Sequence, residues 1–150
     1  MRAEHPLSAE IDERIRRLAG AWARDADVAA VYLFGSRARG NAASRSDVDL
    51  AVVLRDDLDP GTRWRKRLDL IGDASHQLGT DAVDVIVLED APIVLGHRVL
   101  AHGQLLCEPL PACRVRVAER IMRQYLDEGH LRAVLDRGLT RRLREGRFAR

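Results

Sequence analysis

Three short runs of β-branched and aromatic residues constrain the fold of this 150-residue chain more than any other feature. They cover residues 28–34, 47–54 and 82–88, and each is long enough for one strand and far too short for a membrane span. Stretches with helical periodicity separate them. This alternation predicts an α+β, α/β-like domain, with a mixed β-sheet of three to four strands and flanking helices.

Apolar residues recur at three- and four-residue intervals between these runs, which predicts helices. The expected helices cover about residues 8–23, 62–78, 92–101 and the chain from about 112 onward. Ser8 is the expected N-cap of the first helix, and Gly79 is expected to end the second. Residues 104–107 are expected to form a short edge strand. Trp22 and Trp64 share helical spacing with core aliphatics, so both are predicted to be buried.

Basic residues concentrate at the end of the chain. Residues 1–113 hold 14 basic and 18 acidic residues, whereas residues 114–150 hold 11 Arg and five acidic residues. We expect a folded domain over 1–127, including the last core helix, and a basic, partly helical tail over 128–150. The tail has a stripe of leucine and valine at helical spacing, and either its own domain or another chain covers this stripe. A basic tail of this kind favours a partner surface.

The remaining composition excludes several classes of protein. The first six residues contain no apolar signal core, so secretion is not expected. Cys107 and Cys113 are too few for a disulfide framework or a four-ligand zinc site, and we interpret them as packing thiols in a cytoplasmic protein. The basic stretch 63–67 is interpreted as a solvated helix face, because only 4% of the residues are aromatic. We therefore expect no direct nucleic-acid binding and no membrane association.

Acidic residues open the second and third runs. Asp47 and Asp49 are two residues apart at the start of a strand, so their carboxylates are expected on one face. Two adjacent carboxylates repel each other, and a hard cation such as Mg²⁺ or Mn²⁺ is expected to relieve this repulsion. Alternatively, both are turn and capping residues. Asp84 opens the third run, and a helical connection lets the two strands run parallel with their acidic ends together. Asp81 is three residues before Asp84 and is excluded, because it faces the other way.

Small residues end the first run. Gly35 permits a tight turn and a close backbone approach, and the following Ser36 adds a hydroxyl group. Exposed N–H groups at such a turn hold phosphate oxygens, and Arg37 and Arg39 are placed to neutralise phosphate charge. For this turn to meet the acidic residues, the first strand must run antiparallel to the other two.

Two segments carry a family resemblance, Phe34–Gly40 and Ser46–Leu50. They resemble the nucleotidyltransferase superfamily of DNA polymerase beta and, more narrowly, the minimal nucleotidyltransferase (MNT) antitoxins of HEPN–MNT toxin–antitoxin pairs. The similar layout extends over about residues 8–127. The resemblance implies the nucleotidyltransferase fold for this part of the chain.

The resemblance also implies a two-metal nucleotidyl transfer. Asp47 and Asp49 would bind both Mg²⁺ ions, and Asp84 would bind one of them and help to deprotonate an attacking hydroxyl group. Gly35 and Ser36 would hold the β- and γ-phosphates of ATP, the substrate. In such pairs, AMP is added to a tyrosine hydroxyl of the HEPN toxin, an RNase, which is thereby neutralised.

Two alternatives remain open. An MNT-like antitoxin can neutralise its toxin by binding alone. A stand-alone enzyme could instead modify a small molecule such as an aminoglycoside. We rank this second alternative last, because only one helix and a tail follow residue 111.

Overall fold

A computed structural model describes residues 6–40 and 47–146, and the side chains from residue 9 onward within these ranges. The elements are α1 (Pro6–Trp22), β1 (Val28–Phe34), α2 (Gly35–Ala38), β2 (Val48–Leu54), α3 (Pro60–Leu78), β3 (Val83–Val87), α4 (Ile93–His102), β4 (Gln104–Cys107) and α5 (Pro111–Arg144). The predicted α+β fold with a mixed sheet and flanking helices is confirmed. None of the helices in the described ranges combines the length and apolar character that a membrane span needs.

The four strands form one sheet in the order β3-β2-β1-β4. β1 is antiparallel to both of its neighbours, and β2 and β3 are parallel. The parallel pair follows from the connection through α3, since parallel strands need a crossover. The predicted strand directions and the predicted edge strand at residues 104–107 are therefore confirmed.

Helices cover both faces of the sheet. Alternate residues of β1 and β2 pack against α1 and α3 on one face, and the others pack against α4 and α5 on the opposite face. Both central strands are consequently apolar except for Asp49, the second residue of β2, as in sheets that are buried on both sides. A polar side chain on these strands is therefore expected only at the strand ends.

Two helix starts differ from the prediction. α1 begins at Pro6, so Ser8 lies inside its first turn and the prediction that Ser8 is the N-cap is wrong. Proline suits the first turn because its φ is preset and it needs no partner for an N–H group. α3 begins at Pro60 rather than 62, after Asp59, whose carboxylate accepts a hydrogen bond from the Thr62 N–H at 2.9 Å.

Trp22 is buried as predicted, and its Nε1 donates to Asp73 Oδ2 at 2.7 Å. The prediction that Trp64 is buried is wrong, because 55% of it is exposed. The buried stripe of α3 begins at Leu70. At 3.6 residues per turn, Trp64 projects roughly 120° away from Leu70. Periodicity places both tryptophans on helices, but it does not show how far the apolar stripe is covered.

The last helix is longer than a core helix needs to be. α5 buries Cys113, Val117 and Ile121 and then continues without a break to Arg144. The helical spacing from Ala118 to Tyr125 predicts one common face that includes Met122. Met122 is nevertheless 41% exposed, because the buried positions step by four residues through its neighbour Ile121. The boundary predicted between residues 127 and 128 falls inside α5, and the division into domain and tail stays a prediction.

Candidate active site

The turn that ends β1 is in close contact with the start of β2. Gly35 has a φ of +72°, in the left-handed region that other residues rarely adopt. A Cβ atom added at Gly35 would collide with Oδ2 of Asp49. Glycine is therefore required here twice, for its backbone conformation and for the room that it leaves to a carboxylate.

Sheet register brings two of the predicted acidic residues together. Asp49 lies opposite Phe34 of β1 on one side and opposite Asp84 of β3 on the other. Neighbouring strands are about 4.8 Å apart, and directly opposite residues point to the same face. Asp47 is two residues before Asp49 and is exposed just outside β2. Alternation directs it to this face as well.

The face that carries the acidic residues is the one covered by α4 and α5. Asp49 shares its strand parity with Ala51 and Val53, and Asp84 shares its parity with Ile86. Those three apolar residues belong to the cluster between the sheet and the α4–α5 layer. The acidic residues thus continue that face of the sheet beyond the apolar core, where α4 and α5 leave the strand ends uncovered.

Burial and neighbouring negative charges act together at Asp49. Burial raises the pKa of its carboxyl group above the ordinary value, and the charges of Asp84 and then Asp47 raise it further. Within the described ranges, no three acidic, His or Cys side chains converge tightly enough to form a complete metal site. The donor set nevertheless fits a hard divalent cation, because it consists of carboxylates that repel one another.

Asp84 has a cationic neighbour that sequence reasoning missed. Nη2 of Arg67, on α3, lies 3.6 Å from Asp84 Oδ1. Nε of Arg67 donates to the carbonyl oxygen of Val85 at 2.6 Å. Arg67 belongs to the basic stretch that the sequence assigns to a solvated face, and no pattern in that stretch distinguishes it from its neighbours.

A cleft of about 490 Å³ opens beside Gly35. Its walls come from the end of β1, the turn after it, α4 and α5, through Phe34, Gly35, Arg39, Val94, Leu95, His97, Arg98, His102, Gly103 and Tyr125. The imidazole of His97 stacks on the Tyr125 ring, with centroids 3.6 Å apart and planes 4° from parallel. The cleft therefore combines an aromatic wall with basic side chains, which suits a nucleotide in size and charge.

The two arginines of the predicted phosphate-binding turn lie in different places. Arg39 is exposed and lines the cleft. The Arg37 side chain is buried, and its Nη1 lies 3.6 Å from Oδ1 of Asp12 on α1. Arg37 thus points to the opposite layer, away from the residues that line the cleft. Arg37 lies in α2 and Arg39 follows the last residue of this helix, and side chains two residues apart at such a turn project in different directions.

The sequence that contains this site matches a known family. Residues 17–110, more than half of the chain, match the family described as polymerase beta nucleotidyltransferase. The chain belongs to this family. The resemblance seen in the two motifs is thereby confirmed, and both motifs lie inside the matched part of this nucleotidyltransferase.

Three individual proteins of known name or structure are similar to this chain. The nucleotidyltransferase is 37% identical over 76 residues to the protein adenylyltransferase MntA of Shewanella oneidensis. A solved structure described as a toxin–antitoxin with AMP-PNP has a chain that is 26% identical, with a TM-score of 0.62; the match covers 85% of this chain and 98% of that one. A complex of tri-AMPylated S. oneidensis HEPN toxin with MNT antitoxin matches in fold, with 24% identity and a TM-score of 0.58 over 88% and 98% of the two chains.

The sequence match to the curated relative is partial. It covers 51% of this chain, and the chain spans about half the length of the adenylyltransferase that it matches. The family is shown by the match over residues 17–110, and the fold by the similar solved structures.

Proposed function

We propose that the chain is an antitoxin that transfers AMP from ATP to a tyrosine hydroxyl of a partner HEPN toxin. The observation that carries this proposal is the register that sets Asp49 beside Asp84, with the Gly35 turn against the same carboxylate. The family match supports nucleotidyl transfer, and the similarity to an adenylyltransferase supports AMP as the transferred group.

In the proposed reaction, the turn after β1 binds the nucleotide. Backbone N–H groups at Gly35 and Ser36, and the Ser36 hydroxyl, donate hydrogen bonds to oxygens of the β- and γ-phosphates. Arg39 lies at the edge of the same cleft, where its charge offsets that of the triphosphate. The cleft between this turn and α4 receives the remainder of the nucleotide.

The acidic residues would carry the chemical step. Asp47, Asp49 and Asp84 would hold two divalent cations, Mg²⁺ in the cell, which would supply positive charge to stabilise the entering and leaving oxygens. Asp84 accepts the proton of the attacking tyrosine hydroxyl. A bond then forms between the tyrosine oxygen and the α-phosphorus, the α–β phosphoanhydride bond breaks, and pyrophosphate leaves.

The partner is proposed from the relatives and from the tail. One similar chain comes from a structure described as a toxin–antitoxin with AMP-PNP, a non-hydrolysable ATP analogue. Between residues 128 and 144, α5 exposes five apolar side chains: Leu131, Val134, Leu135, Leu139 and Leu143. They repeat at the helical spacing of the face that α5 buries earlier, so a second protein surface is the proposed cover.

This exposed stripe also favours a second candidate function, neutralisation by binding alone. An antitoxin that covers its toxin needs the stripe and does not need the acidic residues. The two functions are compatible in one protein. They differ in which variants lose toxin neutralisation.

The test uses the full-length chain, Mg²⁺, labelled ATP and the HEPN protein encoded beside it. We expect label on a toxin tyrosine with the wild-type chain, and none with the double variant Asp47→Asn, Asp49→Asn. Asp81→Asn is the matched control, since this exposed residue precedes β3 and lies outside the proposed site. Labelling by the double variant would show that the site is assigned wrongly. Full neutralisation by that variant without labelling would favour binding alone.

A further inference from the structure

The charged side chain of Arg67 reaches the proposed site from the other layer of the molecule. It belongs to α3, which packs on the face opposite to the acidic residues. β3 is an edge strand, so a long side chain can pass around it. The guanidinium of Arg67 does so, and it contacts both the Val85 carbonyl and the Asp84 carboxylate.

The position of Arg67 is fixed from two sides. Ala82 and Leu88 form backbone hydrogen bonds with β2, and the Val85 carbonyl between them accepts from Arg67 at the free edge of the strand. The Trp64 ring, one turn earlier on α3, lies 5.6 Å from the Arg67 guanidinium carbon. An arginine held by a carbonyl and an aromatic ring loses less freedom than an ordinary surface ion pair when it contacts a carboxylate.

We propose that Arg67 is a positioning residue for Asp84, holding Oδ1 at the strand edge and competing with the divalent cation for this carboxylate. The inference rests on the proposed function. The positive charge offsets part of the repulsion among Asp47, Asp49 and Asp84 before a cation arrives. The same positive charge weakens the binding of a cation without nucleotide. Binding of the cation together with a nucleoside triphosphate is therefore favoured over binding of the cation alone.

The decisive measurement is the affinity for Mn²⁺ alone, without nucleotide, followed by electron paramagnetic resonance of the free ion. We expect Arg67→Ala to bind Mn²⁺ about three- to tenfold more tightly than the wild type, because one nearby positive charge is removed. Arg67→Lys keeps the charge and should retain wild-type affinity. Arg65→Ala is the matched control on the same helix, since the Arg65 guanidinium contacts Thr62.

Transfer kinetics give the second arm. Arg67→Ala should lower kcat about tenfold with little change in KM for ATP, and Arg67→Lys should recover part of the loss. The proposal would be overturned if Arg67→Ala bound Mn²⁺ with the same affinity as the wild type, or if neither the wild type nor Arg67→Ala bound Mn²⁺. Weaker Mn²⁺ binding with a lower Tm would also overturn it, in favour of a purely structural role. Absence of AMP transfer by the wild type would instead refute the proposed function and leave the Mn²⁺ comparison informative.

Discussion

A single glycine determines whether the phosphate-binding turn and the acidic strand can approach each other. Gly35→Ala places a methyl group against Asp49 and requires a φ of +72° from a residue with a Cβ atom. We expect a loss of about 1–3 kcal/mol of unfolding free energy, measured by denaturant titration, and loss of AMP transfer. The control Gly72→Ala, with open space around its Cβ inside α3, should instead gain up to about 1 kcal/mol.

The charge of Asp49 should lower the stability of the fold, although the proposed function needs this charge. Its pKa is raised by burial and by the charges of Asp84 and Asp47, so the charged form is disfavoured in the fold. Asp49→Asn removes this charge and should raise the Tm measured without divalent cations, while AMP transfer is lost. A lower Tm for Asp49→Asn would contradict this account of the site's electrostatics.

Glu89 should make stability fall as the pH rises. One of its oxygens accepts from the Leu54 N–H at 2.7 Å, and burial raises the pKa of the carboxyl group to about 7. Between the ordinary value of 4.5 and about 7, the folded state binds more protons than the unfolded state. The unfolding free energy therefore decreases across this range, by on the order of 3 kcal/mol for this group.

Glu89→Gln tests this prediction, because it keeps the acceptor for Leu54 and removes the ionisation. Denaturant titrations at pH 5 and pH 8 should show a flatter profile for the variant, and greater stability than the wild type at pH 8. Glu119→Gln, at an exposed position on α5, is the control. A wild-type profile that rises between these two pH values would contradict the assignment.

At the scale of elements, the strands were the most predictable part of the chain. Their runs are short, are bounded by glycine or acidic residues, and are apolar apart from the acidic residues near the starts of β2 and β3, because β1 and β2 are buried on both faces. Helices were located correctly, but their buried faces were less predictable, as Trp64 and Met122 show. Coverage of a helix face depends on where neighbouring elements end, and the local sequence does not contain this information.

The tail of α5 should be dispensable for folding and necessary for partner binding. Its apolar side chains from Leu131 to Leu143 are exposed, so the domain gains little from them. We expect the double variant Leu135→Glu, Leu139→Glu to keep the wild-type Tm within about 2 °C and to lose co-purification with the HEPN toxin. Retained binding would show that the interface with the toxin lies elsewhere on the molecule. A large fall in Tm would show that the domain itself covers the stripe.

At the scale of the whole molecule, the site exists because the sheet is mixed. Because β1 is antiparallel to β2, the turn at its C-terminal end lies beside the starts of the parallel strands β2 and β3. The helical connection predicted the parallel pair, and the direction of β1 was predicted from the requirement that its turn meet the acidic residues. The sequence did not predict Arg67 or the cleft wall of His97 and Tyr125. Those side chains arrive from separate helices, and only the packed molecule brings them together.

The central claim is that carboxylates from two neighbouring strands act as one site. It is tested most directly by Asp84→Asn. Asp84 lies beside Asp49 because the two residues are opposite each other in the register of β2 and β3, and it lies outside the glycine–serine motif. Incubation with ATP, Mg²⁺ and the partner toxin, followed by the intact mass of the toxin, measures AMP addition. The account predicts adenylylated toxin with the wild type and with Asp81→Asn, and unmodified toxin with Asp84→Asn. Full modification by Asp84→Asn would contradict it.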